Sequence, residues 1–452
     1  MTTLSYLLAA VLFILGLKML GSPRTARRGN AIAATGMLIA IVVTLIDQDI
    51  VNWGTIVAGV LVGSLIGGFL AIRVQMTAMP QLVAAFNGSG GIASTLVALA
   101  EIERFAGNFD TETSVVVVLS LAIGSVTFSG SFVAFGKLQG IITGRPIMLP
   151  GGQALNALLA LTIVGLGIWA TASDSVAAYW AIVAVSLLLG VLAVIPIGGA
   201  DMPVVISLLN SLSGVAAAMA GFVIGNEALI IGGALVGAAG FILTVDMGKA
   251  MNRSLANVLF SGFGGAIAGA AEMSDKPVNR ATPDDVAIAL SYAQSVVVVP
   301  GYGLAVAQAQ HAVRELANEL EERGVDVTYA IHPVAGRMPG HMNVLLAEAD
   351  VPYDQLLDLD QSNPRFAQTD VVLIIGANDV VNPSARDDET SAIYGMPILE
   401  VDHAQTVVVV KRSLSPGFAG IDNPLFYEPS TMMLFSDGKA AVESVIGAME
   451  RV

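Results

Sequence analysis

Four short strings in the C-terminal part of this 452-residue chain are marked by glycine, hydroxyl or charge. The first, Gly301-Tyr302-Gly303-Leu304-Ala305-Val306, follows the apolar run 295–300. In a dinucleotide-binding turn the first two glycines allow a tight bend and let the backbone approach a pyrophosphate. The third position of that pattern is Val306, so the fingerprint is incomplete. The second string, Val334-Ala335-Gly336-Arg337-Met338-Pro339-Gly340-His341, sets an arginine in flexible backbone, as a phosphate clamp would. Gly376-Ala377-Asn378-Asp379-Val380 leaves the run 371–375, where ligands of parallel sheets bind. Asp379 there is placed to accept from ribose hydroxyls or a carboxamide.

Lys411-Arg412-Ser413 closes the set, after the run 406–410. An NAD ribose calls for Asp or Glu at the end of the second strand, and here that strand ends in His332-Pro333. Two cations and a hydroxyl suit a dianionic 2′-phosphate, which moves the reading from NAD to NADP. The plainer alternative for Lys411 and Arg412 is a solvated strand end. His332 and His341 serve structure as readily as chemistry, and metal-ligand spacing is absent. With no cysteine, thiol catalysis and thiolate metal sites are excluded.

The elements that must hold these strings alternate. Thr282-Pro283-Asp284-Asp285 opens a short helix with a hydroxyl cap and acids at its positive end. A strand over 295–300, an amphipathic helix over about 304–323 ending at Gly324, and a strand over 325–331 make a βαβ unit. Further strands are expected at 371–375, 398–401, 406–410 and 432–435, with a last helix near 438–449. Uncharged β-branched runs alternating with helices predict a doubly wound, Rossmann-like parallel sheet.

The rest of the chain has a different composition. Residues 1–275 carry 10 basic and 12 acidic side chains, whereas the shorter segment 276–452 carries 11 and 24. Mean hydropathy is +0.75 and formal net charge −15, which excludes disorder, nucleic-acid binding and an ordinary soluble enzyme. Nine apolar runs of membrane-spanning length lie at about 2–21, 30–47, 53–72, 78–100, 113–135, 152–171, 176–197, 203–224 and 227–246. The fold expected is therefore an α-helical membrane bundle of about nine helices followed by an α/β domain. The boundaries are 1–246 for the membrane domain, 247–280 for a hinge and 281–452 for the nucleotide domain. One set of loop ends receives Arg24, Arg27, Arg28, Arg73, Lys137, Arg145, Lys249 and Arg253, and the other only Arg104. That bias places the N-terminus outside and the tail in the cytoplasm. The segment 255–271 is long enough for a tenth span, but four glycines weaken it, and it is read as part of the hinge.

Polar groups at membrane depth are functional candidates by default. Asn87 and Asn210 sit mid-span, where they either conduct or staple helices. Asp201 lies where the seventh span meets the eighth, as a helix cap or a proton acceptor. No histidine occurs in 1–275, so a group titrating near neutral pH is scarce there.

Taken together the chain resembles, over nearly its whole length, the β subunit of proton-translocating NAD(P) transhydrogenase. The matching strings are Gly-Ala-Asp-Met-Pro (199–203), Lys-Ala-Met-Asn-Arg-Ser (249–254), Gly-Tyr-Gly-Leu-Ala-Val-Ala-Gln-Ala-Gln (301–310), the run 332–349, Gly-Ala-Asn-Asp (376–379) and Lys-Arg-Ser (411–413). The resemblance implies NADP(H) on this chain and NAD(H) on an α-type partner that brings further membrane helices. It also implies a dimer of αβ protomers in a bacterial inner membrane, with direct hydride transfer between the cofactors coupled to inward proton movement. Cofactor contacts are implied for Gly301, Tyr302, Gly303, Val334, Ala335, Gly336, Arg337, Met338 and Pro339. Gly376, Ala377, Asn378, Asp379, Val380, Gly395 and Met396 follow. A closing segment comprises Lys411, Arg412, Ser413, Leu414, Ser415, Pro416, Gly417 and Phe418, with Asp437 and Gly438 at its edge. Asn87, Asp201, Asn210 and Arg253 match proton-pathway and coupling positions. Asn87 stands where the family often has His, and Phe418 where many members have Tyr. The competing reading is an ion channel or transporter gated by a nucleotide-sensing tail, and the chain lacks a Thr-Val-Gly-Tyr-Gly filter.

Overall fold

A computed structural model describes residues 2–47, 53–144, 146–252, 254–260, 276–338, 340–391, 393–417 and 419–452. Arg253, Pro339 and Phe418, three of the expected site residues, lie outside the described residues, as does most of the possible tenth span. The chain divides into two compact units, Met1–Thr244 and Val245–Val452.

Among the described residues nine helices are long and apolar enough to cross a membrane. They are α1 (Thr2–Leu20), α2 (Pro23–Asp47), α3 (Trp53–Arg73), α4 (Met79–Phe105), α5 (Thr111–Gln139), α6 (Gly152–Ser173), α7 (Val176–Val194), α8 (Met202–Val223) and α9 (Glu227–Ala250). Each coincides with one of the nine apolar runs. Several extend further, because helix propensity outlasts the apolar stretch: α2 begins at Pro23 and carries Arg24, Arg27 and Arg28 in its first turns. Lys137 was scored above as a loop cation, yet it lies in the last turns of α5 and is 5% exposed. Its ammonium donates to the main-chain oxygens of Ile195 (2.6 Å) and Ile197 (2.7 Å), at the negative end of α7.

Helices in lipid gain little from burying apolar surface, so close backbone approach must hold them. Gly91 on α4 is packed so tightly on α5 that a Cβ would lie 2.6 Å from the Gly124 carbonyl oxygen. Gly214 on α8 meets Gly237 of α9 in the same way, at 2.5 Å from its nitrogen. The α8 helix is the most enclosed of the nine, whereas α3 is exposed along its length within this chain.

In the second unit, after α10 (Leu255–Phe260), come α11 (Pro283–Ser291), β1 (Ser295–Pro300), α12 (Tyr302–Val306), α13 (Gln310–Glu322), β2 (Asp326–Ala330), α14 (His341–Glu348), β3 (Leu356–Leu357), α15 (Leu359–Phe366), β4 (Val371–Ile375), α16 (Ser384–Asp387), β5 (Thr406–Lys411), β6 (Thr431–Phe435) and α17 (Gly438–Met449). The six strands form one parallel sheet in the order β3-β2-β1-β4-β5-β6. Valines dominate because both faces are covered: Val297, Val299, Val372, Ile374, Val407 and Val409 pack with Phe366, Leu399, Phe426 and Met433 in one core. At the sheet's lower edge Asp370 accepts from the main-chain N–H of Gln294 (2.8 Å) and Ser295 (3.0 Å), aligning the starts of β1 and β4. Those bonds hold its carboxyl below the usual carboxylate range. Thr282 makes the expected cap as a full capping box with Asp285.

Two expectations for the tail need correcting, and one element goes unforeseen. The run 398–401 is no strand: it is buried without a ladder, Leu399 N–H bonding to Val380 O at 2.9 Å, and ends in a 3-10 turn at Val401–His403. An apolar run by itself cannot tell a strand from a buried connector. The helix over 304–323 is two helices, α12 and α13, parted by Gln308 at φ +50°. The two-residue strand β3 is too short to leave a periodic signature.

Candidate functional site

Strand order reverses between β1 and β4, and ligands of open parallel sheets bind outside the carboxyl ends of the strands at such a point. The glycine strings meet there. Gly301 N–H donates to Ile375 O (2.9 Å) and Gly303 N–H to Gly376 O (3.0 Å). A Cβ on Gly301 would collide with the backbone of Gly376 and Ala377, and one on Gly303 would reach 2.7 Å from the Gly376 Cα. Gly376 itself sits at φ +68°. These glycines thus let two strand-ending turns interlock, a role the fingerprint alone does not reveal. Gly438, at the start of α17, abuts the same turn, 3.9 Å from the Gly303 carbonyl oxygen by its would-be Cβ. Asp437 caps α17 by accepting from Lys439 N–H at 3.1 Å.

The loop after β2 closes one side. Arg337 lies with its guanidinium 4.1 Å from the Tyr302 ring centroid, and its main-chain N–H donates to His341 Nδ1 at 3.1 Å. Gly336 holds φ +132°, with a would-be Cβ 2.7 Å from that of His341. His332 is 1% exposed; Nδ1 accepts from Val334 N–H (3.2 Å), so Nε2 carries the proton and donates to Pro397 O (2.7 Å). Burial pushes its pKa down to about 4, which keeps the ring neutral. Both histidines therefore serve structure, as props of the 334–338 loop.

The opposite side is the segment following β5. Asp379 Oδ2 accepts from Ala419 N–H at 3.0 Å, and Gly417 is packed so closely that a Cβ would strike the Asp379 carboxylate. That carboxylate therefore holds Gly417 and Ala419 in place, in addition to the ribose or carboxamide contact expected of it from the sequence. Lys411 donates to the Ser415 carbonyl, and Ser413 and Ser415 hydroxyls lie 2.9 Å apart. With the Asn378 amide turned so that its oxygen accepts, that oxygen is 3.0 Å from Lys411 Nζ and 2.7 Å from Gly417 N. Burial pushes the Lys411 pKa down to about 8, against the pull of Asp379 and Asp422. Arg412 and Ser413 are exposed beside it, while Leu414 packs on the core. Gly395, at φ +76°, donates to Ala385 O (2.8 Å); Met396 is buried with Ile393 and Ile398, and Val380 is buried too.

Four residues escaped the sequence reading: Asp422, Asn423, Phe426 and Tyr427, which gather beneath Lys411. The Asn423-Pro424 pair was the signal available, as a turn opener.

In the first unit Asn87 and Asn210 are brought together. Asn210 Nδ2 donates to Asn87 Oδ1 (3.0 Å), and Asn87 Nδ2 to the Ile206 carbonyl (3.2 Å), joining α4 to α8. Asp201 is the N-cap residue of α8 but makes no side-chain cap hydrogen bond, so capping does not account for it. It precedes Asn210 by nine residues, roughly 13 Å along the helix.

A family model described as "NAD(P) transhydrogenase beta subunit" matches residues 2–448. Two relatives, both "NAD(P) transhydrogenase subunit beta" of Rhodospirillum rubrum, are each 50% identical to it over 459 aligned residues, covering 99% of either chain. With nine membrane-length helices and a parallel six-stranded sheet among the described residues, and with full-length similarity, the chain belongs to the NAD(P) transhydrogenase beta subunit family, as a membrane-embedded subunit of an oxidoreductase complex that handles nicotinamide nucleotides.

Proposed function

We propose that this chain binds NADP(H) at the β1–β4 switch point, and that hydride passes between it and NAD(H) held by an α-type partner, coupled to proton movement across the membrane. The observation that carries the reading is the donor set at the end of β5: Lys411, Arg412 and Ser413, opposite a floor of glycine backbone. Two cations and a hydroxyl fit a 2′-phosphate, and the floor fits a pyrophosphate that needs backbone within reach. Arg337, steadied on Tyr302, adds a third cation across the crevice.

The nicotinamides carry the hydride chemistry, and no side chain of this chain acts as acid or base on them. The residues here hold and orient: Lys411 and Arg412 select the phosphate, the glycine turns fix the height of the nucleotide over the sheet, and the 411–418 segment excludes water. We further propose that 1–246 is the proton-translocating domain, 247–280 the linker and 281–452 the nucleotide domain. The N-terminus lies outside and the tail in the cytoplasm of a bacterial inner membrane, within a dimer of αβ protomers. Asp201, Asn210, Asn87 and Arg253 belong to the proton pathway and its coupling, and linkage makes that coupling reciprocal with nucleotide affinity.

The test is titration of the purified full-length chain with NADPH, NADP⁺ and NADH. Tight binding of NADPH and NADP⁺ with NADH ignored is expected, and Lys411→Ala with Arg412→Ala weakens NADP(H) by at least about a hundredfold, two charge-assisted contacts being lost. Equal affinity for NADH, or an indifferent double variant, defeats the assignment.

A further inference from the structure

A lysine on a four-carbon stem is ordinarily a mobile point charge. Lys411 is not. Its ammonium lies 4.8 Å from the centroid of the Phe426 ring and donates to the Ser415 carbonyl, with the Asn378 amide oxygen 3.0 Å away. Phe426 is 1% exposed and belongs to the sheet's core, so the ring cannot swing aside. It is carried by a 3-10 turn, Pro424–Tyr427, which Asn423 caps by accepting from Leu425 N–H at 3.1 Å. The turn is tied twice to the one that follows β4. Asn423 Nδ2 donates to Asn378 O (3.2 Å), and Asn382 Nδ2 donates to Asp422 O (3.0 Å). The Asp422 carboxylate is itself held by the Tyr427 hydroxyl at 3.0 Å. The charged groups that act on Lys411 from these turns are Asp379 and Asp422, and both favour its charged form.

We propose that the 422–427 turn is the specificity determinant behind the phosphate grip: Phe426 and Asp422 are positioning residues that aim Lys411 and keep it charged. The proposal rests on the NADP(H) reading above and deepens it. A ring face under an ammonium favours the charged form, by roughly three- to thirtyfold in an equilibrium. It does so without offering an oxygen that would compete with a phosphate for the same hydrogen atoms. Asp422 works from the same turn, its orientation set by Tyr427. Burial drives Lys411 toward neutrality, with its pKa at about 8. Loss of either partner leaves burial less opposed, so Lys411 discharges at lower pH.

The experiment is binding of NADPH and of NADH to the full-length chain between pH 7 and 9.5, above the titration of a phosphate monoester. The variants are Phe426→Leu, Phe426→Tyr, Asp422→Asn and Lys411→Ala. Wild-type affinity for NADPH is expected to fall as pH rises through about 8. Phe426→Leu weakens NADPH about tenfold, leaves NADH unchanged and moves the onset of that fall down by about one pH unit; Phe426→Tyr restores it. Asp422→Asn, which leaves the core intact, moves the onset the same way. If Phe426→Leu and Asp422→Asn keep the wild-type onset, or weaken both nucleotides alike, the turn is merely packing and the proposal fails. If instead the wild type does not distinguish NADPH from NADH, or Lys411→Ala has no effect, the NADP(H) reading itself is what fails.

Discussion

His332 shows how a residue that looks like chemistry becomes a structural prop. Its two ring nitrogens are both committed, one to Val334 N–H and the other to Pro397 O, and its neutrality follows from burial. The pKa of a histidine in the unfolded chain is about 6.5. Since the folded value is depressed to about 4, the stability that depends on neutral His332 is fully present above pH 6.5 and is lost as pH falls toward 4. The loss amounts to roughly 3 kcal/mol. Urea unfolding of the tail at stepped pH reads it: the midpoint should drop between pH 6.5 and 4 in the wild type. His332→Gln, which cannot titrate, should show a flatter profile over that window. Asp379 teaches the complementary lesson. Motif position marks it as a ligand contact, and its carboxylate also receives Ala419 N–H from the closing segment. Short strings show which residue types gather at a strand end, but not which of two neighbours each will face.

At the scale of elements, the parallel sheet was legible because β-branched runs such as 295–299 and 406–410 can be buried on both faces only in a covered sheet. The membrane helices were legible from length and hydropathy. What failed was local. The break between α12 and α13 depends on Gln308 adopting a left-handed conformation, which nothing in the helical periodicity signals. The 398–401 segment earns its burial from the core, not from a ladder. Nor does composition show which glycines carry helix contacts. Gly214 faces Gly237 with no room for a Cβ, while Gly59 and Gly63 on α3 face open space within this chain. Replacing Gly214 with Val should force α8 from α9 and cost about 2–4 kcal/mol, as overpacking at a backbone contact does. The half-life of the purified chain in detergent at elevated temperature measures it. Gly63→Val in the same assay should be nearly silent.

For the whole molecule, the division of labour follows from what each part can hold. We read the tail as the holder of one nucleotide, so the proposed hydride exchange requires a second site on a partner. The spans offer Asn87 paired to Asn210, two amides that pass hydrogen bonds but do not titrate. We assign the proton to Asp201, at the N-terminal end of the helix that also carries Asn210. Nucleotide chemistry in the tail is, we propose, coupled to a proton through this chain. The measurement that tests it most directly is reconstitution of the complete complex in sealed vesicles, recording hydride transfer from NADPH to an NAD⁺ analogue together with the change in internal pH. Wild type should move protons in fixed proportion to hydride. Asp201→Asn should abolish proton movement and slow steady-state exchange at least about tenfold, while leaving NADPH bound selectively over NADH. Unchanged proton movement in Asp201→Asn, or hydride exchange with no accompanying pH change in the wild type, would contradict that coupling.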